Sequence, residues 1–124
     1  MIDPANHRDA PEDLWFRDGR VIAAPSDRTP DAMYDVSGSI VLAGGIDIHS
    51  HIAGVNVNTA RLLLPELQQR TQAIVPAAHE IGRLYIAMGF TTVVEPAISP
   101  HVAMQAHLEL AAIPFIDTAI LTVL

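Results

Sequence analysis

Apolar and polar positions alternate in short runs over the first forty residues, and the period then lengthens. In "DLWFRDGRVIAA" the runs Leu14–Phe16 and Val21–Ala24 flank Asp18-Gly19. Asp-Gly between β-rich runs predicts a tight β-hairpin. "MIDPANH" predicts the tail of a strand running into a turn, and "PSDRTPDAM" a proline-punctuated loop. "YDVSGSIVLAG", Tyr34–Gly44, predicts a short strand, a Ser-Gly turn and another strand. Beyond it, "ARLLLPELQQR" predicts a short helix interrupted near Pro65. "VPAAHEIGRLYIAMG", Val75–Gly89, places Ala77, Ala78, Ile81, Leu84, Tyr85 and Met88 on one helical face and closes on Gly89. "FTTVVEP" predicts a strand, "PHVAMQAHLELAA" a helix opened by proline, and "FIDTAILTVL" a third strand.

From Ile40 onward the predicted order is strand, helix, strand, helix, strand. Such an order implies parallel strands joined by right-handed crossovers. The expected fold is therefore α/β, with a boundary near Gly44: residues 1–43 a small β layer, residues 44–124 the first β/α units of a TIM-like (β/α)8 barrel. A whole barrel takes ~250 residues, so this stretch can supply only its opening units. The apolar run Phe115–Leu124 stops without a polar cap, which predicts a fold incomplete at the C-terminus. The strand-like opening raises the same expectation for the N-terminus.

Composition narrows the function classes. Half of the 124 residues are hydrophobic, enough for a packed core, and the net charge is -7. The chain has no lysine and no basic patch, which argues against nucleic acid as a partner. No apolar run reaches the ~18 residues of a membrane span, and the polar, acidic N-terminus is not a signal peptide. With no cysteine, disulfides, thiolate clusters and cysteine nucleophiles are excluded on this chain, and a reducing, cytoplasmic setting is expected.

The chemistry concentrates in "GGIDIHSHIAG", Gly44–Gly54, where two of the six histidines lie one residue apart. If Ile46–His51 is extended, Asp47, His49 and His51 share one face of the strand. Two imidazoles on one face can reach one cation at Zn–N distances of ~2.0–2.1 Å. The C-terminal strand ends carry the chemistry in a (β/α)8 barrel, which puts His49 and His51 forward as metal ligands. Asp47 is placed to orient an imidazole or a bound water. The alternative is two polar strand-end residues, one exposed and one hydrogen-bonded. Glu95, at the end of the second strand, would project near the barrel mouth; a salt bridge or strand-end hydrogen bond stands equally beside that reading. Asn58 and Arg61 could bind an anionic substrate group or fix a loop, and the structural role is favoured. His79 with Glu80 lacks the second histidine of a zincin motif and reads as a surface pair. His101 and His107, six apart, do not align on a helix face, and His7 lies in a polar turn.

The Gly-Gly-x-Asp-x-His-x-His frame after a small β layer resembles the metal-dependent amidohydrolases. "AGGIDIHSHIAGVNVNTARLLLPE", Ala43–Glu66, with "GRLYIAMGFTTVVEPAISP", Gly82–Pro100, resembles more narrowly the A-type subunits of formylmethanofuran dehydrogenase and of the bacterial formyltransferase/hydrolase complex. The resemblance covers nearly the whole chain, and the chain would cover only the opening part of such a subunit. It implies a β layer belonging to a composite β-sandwich, a TIM-like barrel and a binuclear zinc site in which His49 and His51 are the first ligand pair. The family's carboxylated lysine, two further histidines and aspartate find no counterpart in this chain. The activity implied is metal-dependent cleavage or formation of a formyl C–N bond on N-formylmethanofuran or a close analogue, in one-carbon metabolism. The implied partners are the other subunits of the complex and the formylated one-carbon carrier; any redox step would fall to those subunits. By itself, this stretch is expected to be inactive. Two rivals remain: another cyclic-amide or deacetylase-type amidohydrolase, and a non-catalytic assembly subunit of the same complex.

Overall fold

In a computed structural model the chain is described over residues 1–26, 29–63 and 76–123. It divides into two compact units, Met1–Ala43 and Gly44–Leu124.

The first unit is built from antiparallel pairs. Strand β1 (Ile2–Asp3) pairs with β2 (Arg8–Asp9) around a single turn of 3-10 helix, Pro4–Asn6. Asp3 caps that turn: its carboxylate accepts from the Asn6 backbone and side chain. Strands β3 (Trp15–Arg17) and β4 (Arg20–Ile22) form the hairpin, with Arg17 opposite Arg20. The two residues between them, Asp18 and Gly19, have φ of 51° and 71°, the left-handed pair that a two-residue turn demands. The two strands expected over Tyr34–Gly44 do not form. The Ser-Gly turn is present, but the Asp35 carboxylate accepts the Ser37 N–H at 2.9 Å, and the segment meets β1 only through the single bridge Ile2–Leu42. A side-chain acceptor close to its own backbone competes with ladder bonds in this way.

The second unit is a mixed α/β layer. Strands β5 (Gly45–Asp47), β6 (Phe90–Ile98) and β7 (Asp117–Thr122) form an open parallel sheet in the order β5-β6-β7. Three helices accompany it: α1 (Gly54–Leu63), α2 (Ala78–Ala87) and α3 (Ala103–Ala111). Helix α2 packs on β6, α3 on β7, and α1 touches α3. The core gathers Ile52, Ala53, Ile81, Val93, Leu110 and Ile113. The break expected near Pro65, and Val75 as the start of the next helix, lie outside the described residues.

Helix α2 begins where Glu80 folds back to accept the Ala77 N–H at 3.1 Å, half of a capping box. It ends on Gly89, with φ 87°. Its buried face is Ile81 and Gly82; Leu84 and Met88, expected on that face, are more than half exposed. Gly82 is dictated by closeness, because a Cβ there would lie 1.7 Å from the Pro114 carbonyl oxygen. The helix expected from Pro100 begins as 3-10 turn Pro100–Val102 and becomes α-helical at Ala103. No helix among the described residues is long and apolar enough to cross a membrane.

Candidate metal centre

The histidines do not lie on the strand as expected. β5 ends at Asp47, and the chain bends at Ile48 and His49. Asp47 causes the bend: its Oδ1 accepts the His49 backbone N–H at 3.1 Å, closing an Asx turn. The backbone returns to β6 at once, where the Ser50 N–H donates to the Val94 carbonyl at 3.2 Å. The turn still brings the two imidazoles together. Their ring centroids are 5.8 Å apart and the rings are nearly perpendicular.

Below the turn lies a hydroxyl–carboxylate chain. The Tyr85 hydroxyl donates to Asp47 Oδ2 at 3.2 Å and pairs with Ser50 Oγ. Having given its one proton to the carboxylate, the phenol accepts from the serine. Burial raises the Tyr85 pKa above its ordinary 10.0, against the opposing Ser50 hydrogen bond and with help from the Asp47 and Glu95 carboxylates.

Glu95 is 1 % exposed and comes from the middle of β6. Its Oε2 accepts the backbone N–H groups of Ile52 and Ala53, the latter at 2.8 Å. Its Oε1 lies 2.7 Å from His51 Nδ1. A buried carboxylate without donors would be strongly destabilising, and three donors offset that cost. Just beyond it β6 bulges between Glu95 and Ile98, and Ala97 takes φ 57°. A non-glycine residue in that region is strained, and such strain collects at functional sites. A cleft of ≈ 300 Å³ opens here, with His51, Asn56, Glu95, Ala97 and Ser99 in its lining.

Asn58 and Arg61 belong to a different network. Glu109 of α3 accepts the Gly54 N–H at 2.8 Å, Asn58 Nδ2 at 2.6 Å and Gln105 Nε2 at 3.1 Å. Arg61 donates to Asn58 Oδ1 at 2.9 Å and to the Pro76 carbonyl at 3.0 Å. These contacts hold the start of α1 against α3. His79, His101 and His107 are exposed and join neither network, as does His7 in the first unit. Sequence patterning does not reveal Glu109 at all, and it presents Tyr85 only as an apolar-face residue.

The histidine pair fits a metal on two counts. Rings sharing one ion at tetrahedral angles place their centroids roughly 5 Å apart, near what is found here. His51 already spends one nitrogen on a carboxylate, the habit of ligating histidines. Among the described residues, no cluster of three or more His, Cys, Asp or Glu side chains could hold an ion. The pair by itself falls short of the four ligands of a tetrahedral site.

Comparison with known proteins supplies the context. No protein-family model matches the chain. The A-type subunit of the formyltransferase/hydrolase complex Fhc of Methylorubrum extorquens is 49% identical over 132 residues, covering 100% of this chain and 24% of that protein. Protein FwdA of Methanocaldococcus jannaschii is 36% identical over 131 residues, covering 96% of this chain and 23% of its own length. A dihydroorotase of Solibacter usitatus is 41% identical over a shorter stretch of 54 residues, 42% of this chain and 13% of that enzyme. The crystal structure of the Methylorubrum extorquens formyltransferase/hydrolase complex with methylofuran superposes with a TM-score of 0.82 at 47% identity, over 99% of this chain and 24% of that one. The chain spans about a quarter of the length of the A-type subunits it matches. A parallel α/β sheet with paired histidines just past its first strand is accompanied by strong homology to subunits of the amidohydrolase superfamily. Those homologues are FwdA and the A-type subunit of Fhc.

Proposed function

We propose that the protein carrying this chain hydrolyses or forms the formyl C–N bond of N-formylmethanofuran or a close analogue, as the A-type subunit of a multisubunit complex. The observation that carries this reading is the likeness of the whole length of this chain to about a quarter of the A-type subunit of Fhc. In it, residues 1–43 contribute to a composite β-sandwich and residues 44–124 open a TIM-like barrel. His49 and His51 are two ligands of a zinc centre, binuclear in the whole protein, with the remaining ligands outside this chain. Zinc supplies a Lewis acid for the formyl carbonyl and lowers the pKa of water. Asp47 holds the turn that presents His49, and the apolar packing of Ile52 and Ala53 behind the pair limits water on that side. Asn58 and Arg61 serve the loop rather than the substrate: Asn58 Nδ2 is held by Glu109, and the two terminal nitrogens of Arg61 by Asn58 and the Pro76 carbonyl.

The shorter likeness to a dihydroorotase favours a second reading, a cyclic-amide amidohydrolase. Both are tested on the protein purified in its native assembly. His49→Ala and His51→Ala are expected to lower zinc content and formyl turnover together, by at least the ~10–100-fold that loss of an outer partner costs. Wild-type zinc and turnover in both variants would eliminate the metal assignment. Zinc-dependent opening of a cyclic amide, with no formyl turnover, would establish the second reading.

A further inference from the structure

We propose that Glu95 is a positioning residue that selects the tautomer of His51 and thereby decides which ring nitrogen faces the cleft. The inference rests on the metal reading for its purpose, though not for its geometry. A carboxylate has only acceptor capacity, and at Glu95 two backbone donors pin one oxygen while the other meets His51 Nδ1 at 2.7 Å. The proton between them must therefore sit on Nδ1. A neutral imidazole carries one N–H, so Nε2 keeps its lone pair. The ring is anchored on its Nδ1 side to a group that is 1 % exposed, while the His51 side chain as a whole is 44% exposed and lines the cleft. Nε2 is thus the nitrogen available to a cation.

The carboxylate cannot swing away, because the Ile52 and Ala53 N–H groups lie immediately along the chain from His51. One carboxylate thereby shapes the backbone after the histidine and chooses its protonation pattern. If Glu95 were only a backbone anchor, the tautomer would not depend on it.

Glu95→Gln separates these roles. Its amide oxygen can still accept from Ile52 and Ala53, which leaves the NH2 facing Nδ1. Nδ1 must then accept, and the ring proton moves to Nε2. In the metal-free native assembly, long-range proton–nitrogen spectra of ¹⁵N-histidine are expected to show His51 protonated at Nδ1 in the wild type and at Nε2 in Glu95→Gln. Zinc affinity, measured by chelator competition, should fall about 10–100-fold with the melting temperature little changed. An Nε2-protonated wild type would overturn the proposal, as would a variant that keeps both tautomer and affinity. Should Glu95→Gln not fold, the wild-type tautomer decides alone. A protein that binds no zinc while showing Nδ1–H would refute the metal reading and leave the positioning role standing.

Discussion

Tyr85 shows how much one side chain of an apparently apolar face can carry. Its ring joins the core margin and meets Phe90 edge-on, with centroids 6.0 Å apart. Its hydroxyl ties Ser50 to Asp47 across the turn that presents the histidines. The raised phenol pKa, caused first by burial, has a definite consequence for stability. Below pH 10 the phenol is protonated in both folded and unfolded chains. As pH rises through about 10 the unfolded chain releases its proton first, so stability falls until the higher folded value is passed. Tyr85→Phe should remove that alkaline decline and cost about 1 kcal/mol at neutral pH through the lost hydrogen bonds. Denaturant melts of both proteins from pH 8 to 11 check this; parallel curves would contradict it. Glu95 is legible in sequence as a strand residue of interest, but its partner is not. Nothing in the spacing of His51 and Glu95, 44 positions apart, announces a 2.7 Å contact.

At the scale of elements, legibility depends on whether the signal is local. Asp18-Gly19 specifies its own turn, and the hairpin is where the pattern puts it. The long strand β6, the helix after it and β7 follow from periods that their neighbours reinforce. The alternation in "IDIHSH" is misleading because Asp47 is itself an acceptor two residues before an N–H. Its short side chain outcompetes the ladder, and the histidines meet across a turn instead of along a strand. The same competition at Asp35 undoes the strands expected after Tyr34. Gly82, which the sequence pattern does not single out, is where α2 touches the Pro114 carbonyl. Gly82→Ala should destabilise by about 1–3 kcal/mol despite alanine's better helix propensity. A urea midpoint equal to or above wild type would show that the loop yields without cost.

At the scale of the whole molecule, the mixed α/β character follows from the change of period near Gly44. Closure of a barrel does not follow, because three strands make an open sheet whatever they later join. β5 and β7 each have one paired side among the described residues. Ile46, Ile48, Leu84, Met88, Leu108 and Leu121 are more than half exposed. Unpaired edges beside exposed apolar side chains favour self-association. The 124-residue chain, expressed by itself, is therefore expected to elute in light scattering as a broad, concentration-dependent distribution. A sharp monomer at about 100 micromolar, on the order of the range where such edges aggregate, would argue against sticky edges.

The contact between Glu95 and His51 also sets a timetable. During synthesis His51 leaves the ribosome 44 residues before its anchor does, a delay of several seconds at about 5–20 residues per second. Until β6 has paired with β5, the ring has no fixed tautomer and no fixed direction. An ion arriving earlier meets two unoriented imidazoles on a nascent chain. On the proposed zinc reading, metal loading therefore belongs to maturation after the β/α units have docked, and zinc supplied during translation should confer no advantage over zinc supplied afterwards.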